Sequence, residues 1–132
     1  MSQENVEIVE AVIAAYLSGD EPTLRTLVAP DVVISTRPDQ PDVRDYHGHE
    51  GLLSMAADWL EAWDEHVFEA ERITDRGDVV FVQTRESGRG RASGVPMKLE
   101  STFVYTLSRG KVTALQIFSS EREALKAVGL QE

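Results

Sequence analysis

Apolar residues recur at helical spacing in the first half of the chain and predict three helices. The first helix is expected to end at Gly19. Asp20 and Pro22 then predict the cap and first turn of a short second helix, which Pro30 is expected to stop. A third helix is predicted after Gly48. Its apolar face would be formed by Leu52, Met55, Ala56, Trp59, Leu60 and Trp63.

From His66 onward the apolar period changes to two, which is typical of β-strands. One earlier strand is predicted at Val32–Ser35, followed by a proline- and aspartate-rich loop over residues 37–46. Ser120 and Glu123 form a capping box before a last short helix, with Gly129 as its C-cap. The later strands are predicted at Val67–Ile73, Val79–Glu86, Pro96–Leu107 and Val112–Ser119.

The predicted order is helix, helix, strand, helix and then four antiparallel strands. Because most strands follow the helices instead of alternating with them, this order indicates an α+β fold. The chain has 132 residues, of which 42% are apolar. That size is typical of a single domain covering residues 1–132.

Charge excludes several classes of partner. The formal net charge is −10, and the acidic excess lies in the first half of the chain. A nucleic-acid-binding protein needs a cationic surface, so no nucleic-acid partner is expected. Attraction to an anionic membrane surface is disfavoured for the same reason.

Cysteine is absent, which excludes disulfides, thiolate metal sites and cysteine nucleophiles. No apolar run is long enough to span a membrane. The first ten residues, MSQENVEIVE, lack the basic start and apolar core of a signal peptide. A cytoplasmic location is therefore expected.

Several short motifs occur together in a characteristic order. They are Tyr16-Leu17-Ser18-Gly19-Asp20, Leu27-Val28-Ala29-Pro30-Asp31-Val32, Tyr46-His47-Gly48-His49-Glu50-Gly51, Val104-Tyr105-Thr106-Leu107 with Gly110-Lys111-Val112, and Arg122-Glu123-Ala124-Leu125 with Gly129-Leu130. Over residues 3–130 the chain resembles the nuclear transport factor two-like superfamily. That superfamily includes ketosteroid isomerase and the SnoaL-like polyketide cyclases.

The resemblance implies a cystatin-like cone: three helices of the N-terminal half packed in a strongly curved, mostly antiparallel sheet, with a short C-terminal helix. It further implies a pocket inside the cone and a homodimer formed through the outer face of the sheet. Isomerases, cyclases, dehydratases and non-catalytic proteins all share this fold, so function must be argued from the site.

The three catalytic groups of ketosteroid isomerase do not have chemical counterparts here. Counting from matched glycines places its tyrosine at Val12, its aspartate base at Thr36 and its protonated aspartate at Phe103, or at Ser101 with a different gap. Valine and phenylalanine can neither donate nor accept a proton. Ketosteroid isomerase activity is therefore not expected.

Other residues could supply acid–base chemistry. Tyr46, His47 and Asp45 precede the third helix, and a histidine side chain can act as an acid or a base near neutral pH. Asp39 and Asp42 in the same loop are further carboxylate candidates. His66 is expected at the surface. Two of the three histidines, His47 and His49, are close in sequence, but no third ligand stands out, so no metal site and no cofactor are expected.

Aromatic residues on the third helix predict an apolar binding pocket. Trp59, Trp63 and Met55 share one face of this helix, and indole walls suit a flat hydrophobic ligand. Plain core packing is the alternative for both tryptophans, and it is favoured for Trp63. Tyr16 is a further pocket candidate, with core packing as its alternative.

Strand alternation adds candidates on the inner face of the sheet. Phe103 and Tyr105 belong to the uncharged face of their strand. Arg85 would reach the mouth of the cone if the set Val79, Phe81, Gln83 and Arg85 faced inward. Gln116 and Phe118 are candidates on the last strand, where Leu115 and Ile117 are equally credible inward residues.

Two functions are the main alternatives from the sequence, and a protein-interaction module that uses the exposed face of the sheet is a third. One is a cofactor-independent acid–base enzyme, an isomerase, cyclase or dehydratase, acting on a hydrophobic small molecule. The other is a non-catalytic ligand-binding or dimerisation module. A roomy polar pocket would favour the enzyme, whereas the loss of all three isomerase groups favours the binding module.

Overall fold

The structure, a computed structural model, describes residues 2–37 and 45–129. The candidates Asp39 and Asp42 lie outside the described residues. Four helices are present: α1 (Ser2–Ser18), α2 (Glu21–Leu27), α3 (Gly48–Glu61) and α4 (Glu121–Ala127). As expected, α1 ends at Gly19, which has a φ of 72°, and the Asp20 carboxylate caps α2 by accepting a bond from the Thr23 amide at 3.2 Å.

Six strands form one sheet, in the spatial order β2-β1-β6-β5-β4-β3. Their bounds are β1 (Val28–Ser35), β2 (Asp45–His47), β3 (Trp63–Arg76), β4 (Val79–Gly90), β5 (Pro96–Ser108) and β6 (Lys111–Phe118). All neighbouring strands are antiparallel except β1 and β6, which run parallel. The sheet curls without closing, and this arrangement confirms the α+β cone expected from the sequence.

The main core lies between the inner face of the sheet and helices α1, α2 and α3. A smaller cluster lies on the outer face, where α4 covers the sheet; it consists of Phe81, Val104, Ala124 and Leu125, with Val79, Phe118 and Val128 packed against them. The helix that covers this cluster is capped as predicted, since Ser120 Oγ accepts a bond from the Glu123 amide at 3.2 Å. No helix among the described residues is long and apolar enough to cross a membrane.

Several element boundaries differ from the prediction, among them the following three. Pro30 does not stop α2 but lies within β1, in the irregular stretch between Val28 and Val33, where a proline is tolerated in a strand. Residues 45–47 form a strand within the predicted loop, because their backbone pairs with β1. Helix α3 ends at Glu61, so Trp63 begins β3 instead of continuing the helix.

A β-bulge near the start of β3 determines which side chains face the cone. Pairing with β4 shifts between Asp64 and Val67, and Glu65 takes a φ of 56° there. Without the bulge, residues 63 and 66 would point to opposite faces. With it, Trp63, His66 and Phe68 are all partly buried, while Val67 is half exposed.

Candidate functional site

A cavity of about 100 Å³ lies inside the cone. Helices α1 and α3 and the inner faces of β4, β5 and β6 provide most of its wall, which is largely apolar and aromatic. The lining residues are Val12, Ile13, Tyr16, Leu24, Thr36, Arg37, Leu52, Met55, Trp59, Phe68, Glu86, Leu99, Ser101, Phe103, Tyr105, Leu115 and Ile117. An apolar cavity with a few polar groups is the usual form of a small-molecule site.

The carboxylate of Glu86 is the main polar group of the wall. Glu86 is only 4% exposed. Its Oε1 accepts a hydrogen bond from Trp59 Nε1 at 3.1 Å and forms a second one with His66 Nε2 at 2.9 Å. Its Oε2 has no hydrogen-bond partner among residues 2–37 and 45–129 and is not an enclosed atom. One oxygen is therefore held in place and the other is available to a ligand.

Two tyrosines share the cavity with this carboxylate. Burial raises the pKa of Tyr16 well above its ordinary value, and the negative charge of Glu86 raises it further. Burial likewise raises the pKa of Tyr105, with smaller contributions from Tyr16 and Glu86. Neither hydroxyl bonds to another described residue, and neither is fully enclosed. Both phenols thus remain protonated at ordinary pH and can donate a hydrogen bond to a ligand.

Arg37 brings a cation to another part of the wall. It is 9% exposed, and its Nη1 donates to the backbone oxygen of Glu100 at 2.9 Å and to Ser101 Oγ at 3.1 Å. These bonds fix the guanidinium against β5. The lining therefore includes a glutamate and an arginine, each held by hydrogen bonds to its own neighbours.

The positions matched to the ketosteroid isomerase groups all border the cavity. Val12, Thr36 and Phe103 line it, and so does the alternative position Ser101. These positions therefore lie together on the cavity wall, although their side chains differ in chemistry from the groups of ketosteroid isomerase. Tyr16 also lines the cavity, although it lies one helical turn beyond Val12.

Of the sequence-predicted pocket residues, five line the cavity: Tyr16, Met55, Trp59, Phe103 and Tyr105. Trp63 does not. Its ring packs edge-on against Trp59, with centroids 5.3 Å apart, and its indole nitrogen is enclosed without a partner among the described residues. Core packing, the favoured alternative for Trp63, is what the structure shows.

The remaining three pocket candidates face the other side of the sheet. Arg85 is exposed and forms ion pairs with Glu71 at 3.3 Å and Glu100 at 3.2 Å, so its inclusion in the pocket was wrong. The inward set on β4 is the alternate one, which ends at Glu86. On β6, Leu115 and Ile117 line the cavity instead of Gln116 and Phe118, because their partners on β5 are the inward residues Tyr105 and Phe103.

The three catalytic candidates lie on the edge strand β2, outside the cavity lining. Asp45 and His47 are exposed, because alternate residues of this strand point away from the inner face. Tyr46 points the other way and packs against the core and against Gly51. The second histidine of the sequence, His49, holds α3 to β1 through its Nε2, 2.7 Å from the Val28 oxygen.

Sequence reasoning missed Glu86, His66 and Arg37. Alternation along β4 makes Val80, Val82, Thr84 and Glu86 the other possible inner face of this strand. The three β-branched residues in this set were the sequence signal that it faces the core. The expectation that His66 lies at the surface was wrong, since its side chain is only 11% exposed because the bulge turns it inward. No group of three metal-ligating side chains is found in the part of the chain that the structure describes.

Comparisons with known proteins agree with this architecture. Residues 9–115 match the family model of the SnoaL-like domain. No match to the chain is found among curated proteins.

Three solved structures are similar over nearly the whole chain. A candidate SnoaL-like polyketide cyclase from Jannaschia sp. CCS1 is 20% identical, with a TM-score of 0.79 over 99% of this chain and 95% of that one. An NTF2-like protein from Burkholderia xenovorans LB400 is 22% identical, with a TM-score of 0.79 over 96% and 97%. A protein with a ketosteroid isomerase-like fold from Catenulispora acidiphila DSM 44928, in complex with trimethylamine, is 20% identical, with a TM-score of 0.72 over 95% and 94%. At these identities the likeness establishes the fold alone.

Proposed function

The chain belongs to the SnoaL-like domain family, and from this premise we propose that it binds a compact, largely apolar carbonyl compound and moves a proton on it. Glu86 is the base in this proposal. The observation that carries it is a buried carboxylate on the wall of an apolar cavity, beside two tyrosines that burial keeps protonated. This is the combination that proton transfer next to a carbonyl requires.

The chemistry needs no cofactor. Glu86 Oε2 takes a proton from the carbon next to the carbonyl, and the C–H electron pair forms a carbon–carbon double bond. The carbonyl π electrons move to its oxygen, where Tyr16 or Tyr105 donates a hydrogen bond to the developing negative charge. In a ligand with a β,γ-double bond the enolate is conjugated, so returning the proton from Glu86 to the γ-carbon gives an isomerisation. In a ligand with a second carbonyl, attack of the enolate carbon on that carbonyl closes a ring, and the alkoxide that forms takes the proton back from Glu86.

Cavity size supports a compact ligand. An engineered apolar protein cavity of about 150 Å³ binds benzene, and the cavity here is about 100 Å³. A ligand of about one ring is therefore the size that we expect the cavity to hold. The trimethylamine in the Catenulispora neighbour shows that a molecule much smaller than a polycyclic polyketide can bind to a protein with this fold.

The test is deuterium exchange into cyclohexanone, a one-ring ketone with acidic protons next to its carbonyl. In D₂O the protein is expected to accelerate exchange, and Glu86→Gln is expected to reduce the rate about 10²- to 10⁴-fold. Glu71→Gln makes the same chemical change on an exposed side chain and should keep the wild-type rate. Exchange at the buffer rate, or equal rates for the wild type and Glu86→Gln, would refute the proposal.

The non-catalytic alternative retains one specific point of support. Both hydrogen bonds to Glu86 Oε1 come from the protein itself, as they would around a carboxylate with a purely structural role. Cyclohexanone that shifts the NMR signals of the cavity residues without exchanging its protons would identify a binding module.

The resemblance also leads us to propose a homodimer formed through the outer face of the sheet. On that face Val67 is half exposed near the Glu71–Arg85–Glu100 ion pairs. Light scattering is expected to give about twice the chain mass of 14.6 kDa. A monomer mass at micromolar concentration would contradict this proposal.

A further inference from the structure

On the basis of the proposed function, we infer that His66 is a positioning residue for Glu86. Together with Trp59 it fixes Oε1 and leaves Oε2 as the oxygen that takes the proton. His66 does not line the cavity and does not touch the ligand in this proposal. It acts through the carboxylate.

The contacts at Oε1 carry this inference. His66 Nε2 lies 2.9 Å from Glu86 Oε1, and Trp59 Nε1 lies 3.1 Å from the same oxygen. Two neighbours on one oxygen remove the freedom of the carboxylate to rotate, because rotation would break both bonds. A base held in one orientation loses less of its reactivity to misalignment than a mobile one.

The opposite side of the imidazole is open. Nδ1 of His66 has no partner among the described residues, yet it is not an enclosed atom, and 11% of the side chain is exposed. An ionised carboxylate can only accept a hydrogen bond, so neutral His66 must carry its proton on Nε2. Nδ1 is then the acceptor nitrogen of the ring.

The charged neighbours of His66 on β3 are paired elsewhere. Asp64 binds Arg91 at 3.0 Å, and Glu65 binds Arg89 at 3.4 Å, with all four side chains more than half exposed. Glu86 is therefore the carboxylate that faces His66. The bulge in β3 creates this division, since it turns residues 64 and 65 outward and residue 66 inward.

A first test reads the tautomer directly and does not depend on activity. The ¹⁵N shifts of the ring nitrogens, measured by NMR where the ring is neutral, are expected to show the proton of His66 on Nε2. Exposed His47 provides the reference within the same molecule. A proton on Nδ1 of His66, or the mixture of tautomers shown by His47, would overturn the inference.

A second test compares two variants of His66 whose replacement side chains have about the same length. His66→Gln keeps an N–H donor near the position of Nε2, whereas His66→Met provides none. In cyclohexanone exchange, the Met variant is expected to lose about 10- to 100-fold in kcat with little change in KM, and the Gln variant to regain most of this loss. Thermal unfolding of both variants checks that they fold. If His66→Met does not fold, the decision rests on the tautomer and on His66→Gln, which must then retain most of the wild-type kcat.

The outcomes distinguish a failure of the proposed function from a failure of the role assigned to His66 alone. If wild type and Glu86→Gln exchange equally, the proposed function fails and the role of His66 fails with it. If Glu86→Gln is inactive but His66→Met has the wild-type kcat, the role of His66 alone is refuted.

Discussion

A carboxylate inside an apolar cavity is costly unless hydrogen bonds compensate for the lost water. Glu86 is in this situation, and the indole of Trp59 supplies one of its two bonds at 3.1 Å. Trp63, in ring contact with Trp59, has an enclosed indole nitrogen with no partner among the described residues. The two tryptophans therefore form a matched pair for measuring what the bond to Glu86 contributes.

Trp59→Phe is expected to lower the free energy of unfolding by about 1–3 kcal/mol more than Trp63→Phe, measured by urea denaturation. Both variants lose the same part of a ring, so the difference isolates the hydrogen bond. Removing the unpartnered N–H of Trp63 carries no such penalty. Equal losses in the two variants would show that the bond to Glu86 contributes nothing to stability.

Tyr16 and Tyr105 predict how stability depends on alkaline pH. Burial raises the pKa of both phenols in the fold, whereas the unfolded chain ionises near the ordinary value of about 10. Above that pH the folded state binds more protons than the unfolded state, so stability must fall as pH rises.

Urea denaturation at a series of pH values checks this expectation. The free energy of unfolding of the wild type is expected to decline above about pH 10. The decline should be shallower in Tyr105→Phe and in Tyr16→Phe. An unchanged decline in the double variant would contradict the assignment of the raised pKa to these two residues.

Residue types and alternation alone could identify part of this site. Phe103 and Tyr105 were predicted on the inner face because the opposite face of their strand carries charges. The same logic failed for Glu86, since a glutamate at a strand end is usually exposed. What buries it is the pair of partners Trp59 and His66, and neither contact is visible in the sequence.

At the scale of elements, the bulge in β3 depends on a glycine in the neighbouring strand. A Cβ on Gly88 would lie 3.2 Å from the Asp64 oxygen, 3.4 Å from Trp63 Cβ and 3.5 Å from His66 Cα. The backbone of β3 can approach this closely only because residue 88 has no side chain. The absence of a side chain there thus helps to place His66 beside Glu86.

Gly88→Ala is expected to destabilise the fold by about 1–3 kcal/mol and to displace His66 from Glu86. Denaturation measures the first effect, and the NMR signals of the His66 ring report the second. Val67→Thr, a change on the exposed side of the same bulge, should do neither. A Gly88→Ala variant with wild-type stability and unchanged His66 signals would show that the close approach is unimportant.

Helices and strands could be predicted from periodicity more reliably than their ends. The cap of α2 at Asp20 and the cap of α4 at Ser120 were both predicted correctly, because capping depends on local side chains. Strand β2 and the position of Trp63 in β3 were not predicted, because both depend on pairing with distant backbone. The bulge has no sequence signature that could have shown it.

At the scale of the whole molecule, the chain has a cavity inside the cone, as the family resemblance implies. The polar side chains on the cavity wall lie at other sequence positions than the resemblance assigns to them. Val12 and Phe103 occupy places that the resemblance assigns to proton donors, yet both border the cavity as apolar residues. Glu86, Arg37, Tyr16 and Tyr105 are polar residues of its wall. The resemblance thus led to positions on the cavity wall, but it did not predict which polar side chains stand there.

This arrangement predicts that the protein does not isomerise ketosteroids. A steroid nucleus of four fused rings exceeds a cavity of about 100 Å³, and the matched catalytic positions lack acidic groups. A spectrophotometric assay should show no conversion of a β,γ- to an α,β-unsaturated ketosteroid above the buffer rate. Conversion that is abolished by Glu86→Gln would contradict the size limit drawn from the cavity.

A crystal structure with bound cyclohexanone would show whether a one-ring carbonyl compound occupies the cavity next to Glu86. We expect electron density for one ring inside the cone, with its oxygen within hydrogen-bond distance of the Tyr16 or Tyr105 hydroxyl and the adjacent carbon facing Glu86 Oε2. An empty cavity at saturating ketone, or a ring bound with its carbonyl directed away from both tyrosines, would contradict the proposed function.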